Sequence, residues 1–284
     1  MSYNKLKILF QEQSLLNDIN GILSWDMATY MPKNSRSQRV KQIKKIYDYK
    51  KSIFNKIKKE ELFKKVNELN LNLKEKSNLD LMKNKFEYFE TIPYEKIKKK
   101  ASLSIECEGF WRSARHKSNY NIVKKKFKEL VNVIREEAEI LSQKKNKTKY
   151  DCLILNYDRS LDTKILFKIF NNIEKFLKSK IQIISKKQNK SYDSINKEFL
   201  SEEEQFILSK IFMKKLGFDF SRGRIDKSLH PFCGGSSQDI RITTRFNKND
   251  SFSCFDALMH ETGHGLYEQG LPKKWAHQPL GSAG

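Results

Sequence analysis

The sequence predicts a mainly α-helical protein: a multi-helix array with a small β-sheet next to one last helix. From residue 4 to about residue 217, apolar residues recur at intervals of three and four, as Ile134, Ala138 and Leu141 do. This spacing is typical of amphipathic helices. After Gly217 the apolar residues fall into short alternating runs separated by glycine, serine and proline, a texture that indicates strands.

The helical region is interrupted where proline, asparagine, serine or lysine are concentrated. These interruptions are at residues 31–34, 92–93, 117–119 and 144–160. A helix from about residue 201 to residue 216 is predicted in more detail, because Ser201 and Glu204 form a capping box and Leu216-Gly217 is a typical helix end. We therefore divide the chain into a helical region, 1–217, and a smaller region, 218–284, that holds the sheet and the last helix.

Two strands are predicted after the helical region, at residues 224–228 and 239–246. In the second strand, Ile240 and Ile242 alternate with Asp239, Arg241 and Thr243. Successive side chains of a strand point to opposite faces. The two isoleucines are therefore expected in the core, and the three polar residues on the other face.

The last helix is predicted from about Ser253 to Gln269. Ser253 and Asp256 offer a capping box at its start, and Gly270 followed by Pro272 ends it. The helix directly follows a strand that we expect at the edge of the sheet.

Charge and composition exclude some classes of protein. The 284 residues include 56 Lys and Arg against 34 Asp and Glu, for a formal net charge of +22. No run approaches the roughly 18 apolar residues of a membrane helix. Lys5, Lys7 and Glu12 interrupt the N-terminus where a signal peptide would be apolar. We expect a cytoplasmic protein without a membrane partner.

The excess of lysine raises the hypothesis of nucleic-acid binding, because basic proteins gain affinity for phosphate from counterion release. The lysines are scattered over amphipathic patterns, as at residues 98–100 and 124–126, and are not interleaved with aromatic residues. Solvated helix faces explain this pattern, so no specific nucleic-acid binding is expected. A basic helical protein that binds nucleic acid or acidic partners remains the alternative from another functional class.

The four cysteines are widely spaced and form no C-x-x-C pair. They are Cys107, Cys152, Cys233 and Cys254. Such spacing favours neither a disulfide framework nor a zinc site built from cysteines. We expect buried thiols.

The last helix contains the segment His260-Glu261-Thr262-Gly263-His264, an H-E-x-x-H pattern. Two histidines four residues apart project from the same helix face, where both imidazoles can bind one zinc ion. Glu261 lies about 100° further round the helix. Its carboxylate is therefore placed to act as a base beside the metal. The same pattern also arises by chance in ordinary helices.

Several segments in addition to this pattern resemble the carboxypeptidase Taq family, the thermostable carboxypeptidases, which are zinc metallopeptidases. The segments occur in the order expected of that family and span nearly the whole chain. They are Ser24-Trp25-Asp26, Phe110-Trp111-Arg112-Ser113-Ala114-Arg115, Arg224-Ile225-Asp226, His230-Pro231-Phe232, Asp239-Ile240-Arg241-Ile242-Thr243 and His260-Glu261-Thr262-Gly263-His264.

The resemblance implies a mostly helical protein with an active-site groove that releases single amino acids from the C-termini of peptides. It implies that His260 and His264 are metal ligands and that Glu261 is the general base. Zinc is the implied cofactor, with cobalt or another divalent ion as an alternative. A homodimer is the implied assembly, and residues 218–284 become a truncated part of the same catalytic domain.

The resemblance also implies that His230, Phe232, Asp239, Arg241 and Thr243 shape the substrate site. A guanidinium such as that of Arg241 binds a carboxylate through two parallel hydrogen bonds, which suits recognition of a peptide C-terminus. Two structural alternatives stay open. The His230-Pro231-Phe232 segment can anchor a loop, and Asp239 can form an ion pair with Arg241.

A catalytic zinc site needs three protein ligands. The resemblance implies that the third ligand in this family is a glutamate from a later helix. We therefore interpret this sequence as the N-terminal part only, without the third ligand. Glu268 lies a rise of roughly 12 Å beyond His260 on the same helix, too far to share one ion with both histidines, and His277 stays as an alternative. A separate C-terminal half and an inactive remnant both remain open.

Overall fold

The computed structural model describes residues 2–188 and 200–282. This part of the chain contains nine α-helices and three strands. The helices are α1 (Ser2–Ala28), α2 (Arg36–Lys59), α3 (Leu73–Thr91), α4 (Tyr94–His116), α5 (Asn121–Lys145), α6 (Lys149–Ile154), α7 (Thr163–Lys187), α8 (Glu202–Lys215) and α9 (Ser251–Gln269). The strands are β1 (Gly223–Lys227), β2 (Phe232–Ser236) and β3 (Asp239–Thr244). The predicted fold class, mainly helical with a small sheet, is confirmed.

The predicted interruptions at residues 31–34, 92–93 and 117–119 separate α1 from α2, α3 from α4, and α4 from α5. The capping box of α8 is also present. The Ser201 hydroxyl accepts a hydrogen bond from the Glu204 N–H at 3.2 Å, and the Glu204 carboxylate accepts one from the Ser201 N–H at 2.7 Å. Short-range signals such as caps and prolines therefore set these boundaries.

The described residues form two compact units, 2–134 with 200–282 and 135–188. The division at residue 217 stays a prediction. In the smaller unit, Asp151 joins the starts of two helices: the hydroxyl of Thr148 accepts from its N–H at 3.1 Å, and its carboxylate accepts from the Thr163 N–H at 2.7 Å. None of the described helices has the length and apolar character needed to cross a membrane.

The first three helices share one apolar cluster in the larger unit. Leu6 and Phe10 of α1, Ile57 of α2, and Leu79 and Met82 of α3 are all buried there. Burial of side chains of this size contributes about 1.5–3 kcal/mol each relative to exposure. The cluster therefore holds α1 against α2 and α3.

The sheet has the strand order β1-β3-β2, with β1 parallel and β2 antiparallel to β3. Two features differ from the predictions. Strand β2 was not predicted, because Phe232-Cys233-Gly234-Gly235-Ser236 shows no alternation of apolar and polar residues. Strand β3 is central, whereas the sequence led us to expect it at an edge, because the missed strand covers its second side.

One face of the sheet packs against α8 and α9. Ile240 and Ile242 of β3 are fully buried, as predicted, and contact Met213 of α8 and Leu258 of α9. Helix α9 begins slightly before its predicted start, because the carboxylate of Asp250 caps it by accepting from the Ser253 N–H at 3.1 Å. This packing sets the position of α9 against the sheet.

Candidate metal centre

Helix α9 places the two histidines of the H-E-x-x-H pattern side by side. The Nε2 atoms of His260 and His264 are 3.2 Å apart, and both side chains are exposed. In a tetrahedral zinc site with Zn–N bonds of about 2.0–2.1 Å, two ligating nitrogens stand about 3.3–3.4 Å apart. The pair of imidazoles therefore fits two ligand positions around one zinc ion.

Glu261 is directed differently from the two histidines. It is only 8% exposed and lines a cavity of about 300 Å³ together with His264, Glu268 and residues 231–235, the last four of which belong to β2. Within residues 2–188 and 200–282, its carboxylate has no hydrogen bond or ion pair. A buried carboxylate without a partner beside an imidazole is available to accept a proton.

The opposite wall of this cavity carries a thiol. Burial, together with the nearby negative charges of Glu261 and Glu268, raises the pKa of Cys233 to about 12. Burial also raises the pKa of Glu268, which the charge of His264 partly offsets. At neutral pH, Cys233 therefore faces the cavity as a neutral thiol.

The described part of the chain holds no group of three or more His, Cys, Asp or Glu side chains placed to bind a metal ion. His277, one of the alternatives for a third ligand, lies against α1. Its Nδ1 atom is 3.5 Å from the carboxylate of Asp18 and 3.4 Å from the hydroxyl of Ser14. The metal ligands within reach of each other are therefore the two imidazoles of α9.

Thr243 and Phe232, both predicted to shape a substrate site, are linked to each other. The Thr243 side chain is fully buried, and its hydroxyl accepts from the Phe232 N–H at 3.1 Å and from the Ser228 hydroxyl at 2.8 Å. The Ser228 hydroxyl also lies 2.7 Å from the His230 carbonyl. These bonds hold the His230-Pro231-Phe232 segment against β3, while Phe232 lines the cavity beside Glu261.

The side chain of Arg241 points to the sheet face away from α9, because it alternates with Ile240 and Ile242. There its guanidinium donates to both oxygens of the Asp239 carboxylate, at 2.6 and 2.8 Å. It also stacks over the ring of Trp25 in α1, 4.5 Å from the ring centroid. The ion pair left open by the sequence is therefore present.

His230 is exposed, and its ring meets the ring of Trp111 edge to face with centroids 6.3 Å apart. Two residues near the site were not singled out from the sequence. Cys233 was missed together with strand β2, and Trp25 gave no signal of its own beyond its place in a family segment.

Comparisons with known proteins agree with these observations. The sequence matches the family described as carboxypeptidase Taq (M32) metallopeptidase over residues 5–284. Carboxypeptidase 1 of Bacillus subtilis is 25% identical over 266 residues, which are 93% of this chain and 53% of that protein. Thermostable carboxypeptidase 1 of Thermus thermophilus is 25% identical over 294 aligned positions, covering 99% of this chain and 58% of that protein.

Solved structures agree as well. Metallocarboxypeptidase 1 of Trypanosoma cruzi gives a TM-score of 0.81 at 26% identity, and covers 99% of this chain and 57% of its own. A Pyrococcus furiosus carboxypeptidase gives a TM-score of 0.83 at 22% identity, and covers 100% of this chain and 57% of its own. This chain spans 53–58% of the length of the curated relatives named above. Because the family match covers nearly the whole chain, the protein belongs to the carboxypeptidase Taq (M32) metallopeptidase family.

Proposed function

We propose that this chain carries the metal-binding and base-bearing part of a zinc-dependent carboxypeptidase that releases C-terminal amino acids from peptides. One observation carries the proposal. The imidazoles of His260 and His264 stand at the separation of two zinc ligands, and Glu261 lies between them in sequence with its carboxylate in the adjoining cavity. Cobalt or another divalent ion is an alternative to zinc.

In this proposal His260 and His264 hold the metal, which supplies Lewis-acid polarisation of the scissile carbonyl when it is bound. Glu261 takes a proton from the attacking water and passes it to the leaving amine. Its burial and the absence of a charged partner in the described residues leave both carboxylate oxygens available for this transfer.

The substrate enters beside β2. Phe232 lines the cavity next to Glu261, so we assign it to direct contact with the peptide. We propose that Thr243, His230 and the ion pair of Asp239 with Arg241 shape the substrate site indirectly, by holding the strands behind Phe232. Arg241 binds a peptide C-terminus only if it exchanges the carboxylate of Asp239 for that of the substrate, because both carboxylates use the same guanidinium.

The resemblance to the family implies a third ligand from a segment that the relatives carry beyond the matched part. We propose that this glutamate comes from the C-terminal part that the relatives carry, whether that part stands on the same polypeptide or on a separate one. A homodimer and a cytoplasmic location belong to the same proposal and are tested by size-exclusion chromatography and cell fractionation. An inactive remnant of the family is the alternative outcome.

Zinc titration tests the metal site without any assay of activity. Two imidazoles leave half of the tetrahedron to water, so we expect weak binding of zinc to the chain alone in isothermal titration calorimetry. His264→Ala should weaken it further, whereas Glu261→Gln, which keeps both imidazoles, should not. Stoichiometric zinc that survives dialysis against a mild chelator would show a third ligand within the chain.

Complementation tests the activity. Co-expression with the C-terminal half of a full-length relative should restore release of amino acids from a peptide with a free C-terminus, and Glu261→Gln should abolish turnover while zinc stays bound. The same peptide with a C-terminal amide is the matched control. A folded, zinc-loaded complex that releases nothing would support the remnant, and equal cleavage of the amide would refute recognition of the terminal carboxylate.

A further inference from the structure

A second groove lies along strand β1, on the side of the sheet where the described residues place no further strand. Its volume is about 720 Å³, with β1 on one wall and α8 on the other. None of its lining residues belongs to the cavity beside Glu261 and His264. The groove is therefore a separate site, and what it binds does not depend on the proposed carboxypeptidase activity.

The hydrogen bonds between β1 and β3 show which backbone groups face this groove. The Arg222 carbonyl accepts from the Ile240 N–H at 2.9 Å, and the Ser228 N–H donates to the Thr244 carbonyl at 2.9 Å. In a parallel pair, the N–H and C=O of one residue both face the partner strand, and those of the next residue both face away. The even-numbered residues from 222 to 228 therefore pair with β3.

Gly223, Ile225 and Lys227 accordingly direct their N–H and C=O groups to the open edge. These groups have no hydrogen-bond partner among residues 2–188 and 200–282. An unpaired row of backbone donors and acceptors is a template for another extended chain. The five residues of β1 span about 16 Å, enough to pair with a segment of similar length.

Beyond β1, the lining of the groove is apolar and basic. Phe206, Phe220 and Phe246 supply aromatic surface, and Lys210 and Lys214 of α8 supply positive charge. The Nζ atom of Lys210 lies 4.6 Å from the centroid of the Phe206 ring. Within the part of the chain that the structure describes, neither lysine has a carboxylate partner, so both charges are available to a ligand.

The charges on β1 itself are already neutralised. Arg224 donates to both carboxylate oxygens of Asp226, at 2.7 and 2.5 Å, and Lys227 forms an ion pair with Glu202 at 2.6 Å. The uncompensated charge in the groove is therefore that of α8. A fitting occupant brings an extended backbone for β1, apolar side chains for the aromatic surface and carboxylates for the lysines of α8.

We propose that β1 binds an extended acidic peptide segment of a partner protein as a fourth strand of the sheet. The two lysines of α8 recognise its carboxylates, and the open edge of β1 pairs with its backbone. A second copy of this chain fits poorly, because β1-to-β1 pairing would bring the same lysines of both copies together, and like charges repel.

The probe for this proposal is an eight-residue peptide of alternating valine and glutamate, labelled with a fluorophore and blocked at both ends. The blocked C-terminus keeps it from being a carboxypeptidase substrate. Fluorescence anisotropy should show binding that weakens with salt. Two matched peptides should bind at least tenfold more weakly: one with lysine in place of glutamate, and one with N-methylated backbone amides, which cannot pair with a strand.

Charge reversal on α8 tests the surface itself. The double variant Lys210→Glu with Lys214→Glu should weaken binding at least tenfold, whereas Lys215→Glu, an exposed lysine of the same helix that does not line the groove, should leave it unchanged. Hydrogen exchange should slow at the amides of Gly223, Ile225 and Lys227 when the peptide binds. Absence of binding, equal binding of the N-methylated peptide, or protection elsewhere in the chain would overturn the proposal.

Discussion

The guanidinium of Arg241 lies 4.5 Å from the centroid of the Trp25 ring while it donates two hydrogen bonds to Asp239. The ring belongs to α1 and the ion pair belongs to β3, so the contact joins α1 to the face of the sheet away from α9. A planar, delocalised cation suits both interactions at once, whereas an ammonium does not.

We expect Arg241→Ala to lower the free energy of unfolding by about 1–2 kcal/mol, from loss of the stacked cation and of a partly exposed ion pair. Arg241→Lys should recover only part of this loss, because lysine cannot bind the carboxylate with two parallel hydrogen bonds. Urea unfolding measures both. Arg245→Ala is the control, since Arg245 is exposed and should change stability by less than about 0.5 kcal/mol.

The contrary result for Arg241 would be informative about function. If Arg241→Ala leaves stability unchanged and removes the preference of the complemented enzyme for a free C-terminus, the residue binds substrate directly and its ion pair with Asp239 is only a resting contact.

The two glycines of the H-E-x-x-H region have opposite surroundings. A Cβ atom on Gly265 would lie 2.8 Å from Cδ1 of Ile242 and 2.8 Å from Cε2 of Phe218, whereas a Cβ atom on Gly263 would have no neighbour within 4 Å. The absence of a side chain at Gly265 therefore lets α9 approach the sheet closely, and Gly263 lies on the open side of the helix.

We expect Gly263→Ala to stabilise the protein by about 0.4–1 kcal/mol, because alanine loses less conformational freedom than glycine when the chain folds into a helix. Gly265→Ala should be less stable than Gly263→Ala by about 1–3 kcal/mol, the usual penalty for overpacking a core. Thermal unfolding of the two variants side by side gives the difference. Equal stability would mean that α9 does not pack against β3 as closely as described.

The sequence predicted those parts of the fold that depend on neighbours in the chain. The starts of the helices that follow Ser201 and Pro93 were predictable because caps and prolines act within a few residues. The burial of Ile240 and Ile242 followed from alternation alone. Strand β2 was missed because its pairing with β3, and not its own side chains, makes it a strand, and the central place of β3 was missed with it.

The candidate site divides in the same way. The juxtaposition of His260 and His264 follows from helix geometry, so the sequence predicts it. The stacking of Arg241 on Trp25 and the entry of Cys233 into the cavity of Glu261 depend on how distant segments pack, which no local pattern encodes. The roles of His230, Phe232, Asp239, Arg241 and Thr243 toward substrate stay predictions.

Thr243 gives a third prediction, about a hydroxyl in the core. Thr243→Val keeps the shape of the side chain but removes the hydroxyl that accepts from the Phe232 N–H and one of the two hydrogen-bond contacts of the buried Ser228 hydroxyl, which should lower stability by about 1–3 kcal/mol. Urea unfolding measures the loss. Thr244→Val is the matched control, because Thr244 is equally buried and its hydroxyl has only a 3.9 Å contact with the sulfur of Cys254.

If the two threonine variants lose the same stability, the bonds of Thr243 do not hold the His230-Pro231-Phe232 segment. If Thr243→Val is stable and folded but the complemented enzyme loses turnover, the hydroxyl acts on the substrate and not on the loop.

The turn before β1 is tied to the end of α9. The side-chain amide of Gln269 accepts from the Asp219 N–H at 2.9 Å and donates to the Asp219 carbonyl at 2.8 Å. The Asp219 carboxylate accepts from the Ser221 hydroxyl at 2.6 Å, from the Ser221 N–H at 2.9 Å and from Arg222 at 2.9 Å. These bonds lower the pKa of Asp219 to about 2.

The last prediction is that the stability of the protein depends on pH because of the ionisation of Asp219. Because folding lowers its pKa from 3.8 to about 2, the ionised carboxylate stabilises the folded protein above pH 4, and this contribution is lost as the pH falls toward 2. Asparagine at position 219 cannot ionise, so Asp219→Asn should unfold at a lower urea concentration than the unchanged protein at pH 6. The difference between the two urea midpoints should narrow at pH 3 and close near pH 2. Measurements at fixed ionic strength keep screening constant. A gap that is the same at pH 6 and pH 3 would show that the charge of Asp219 contributes nothing, and that the turn depends on the backbone bonds of Gln269 instead.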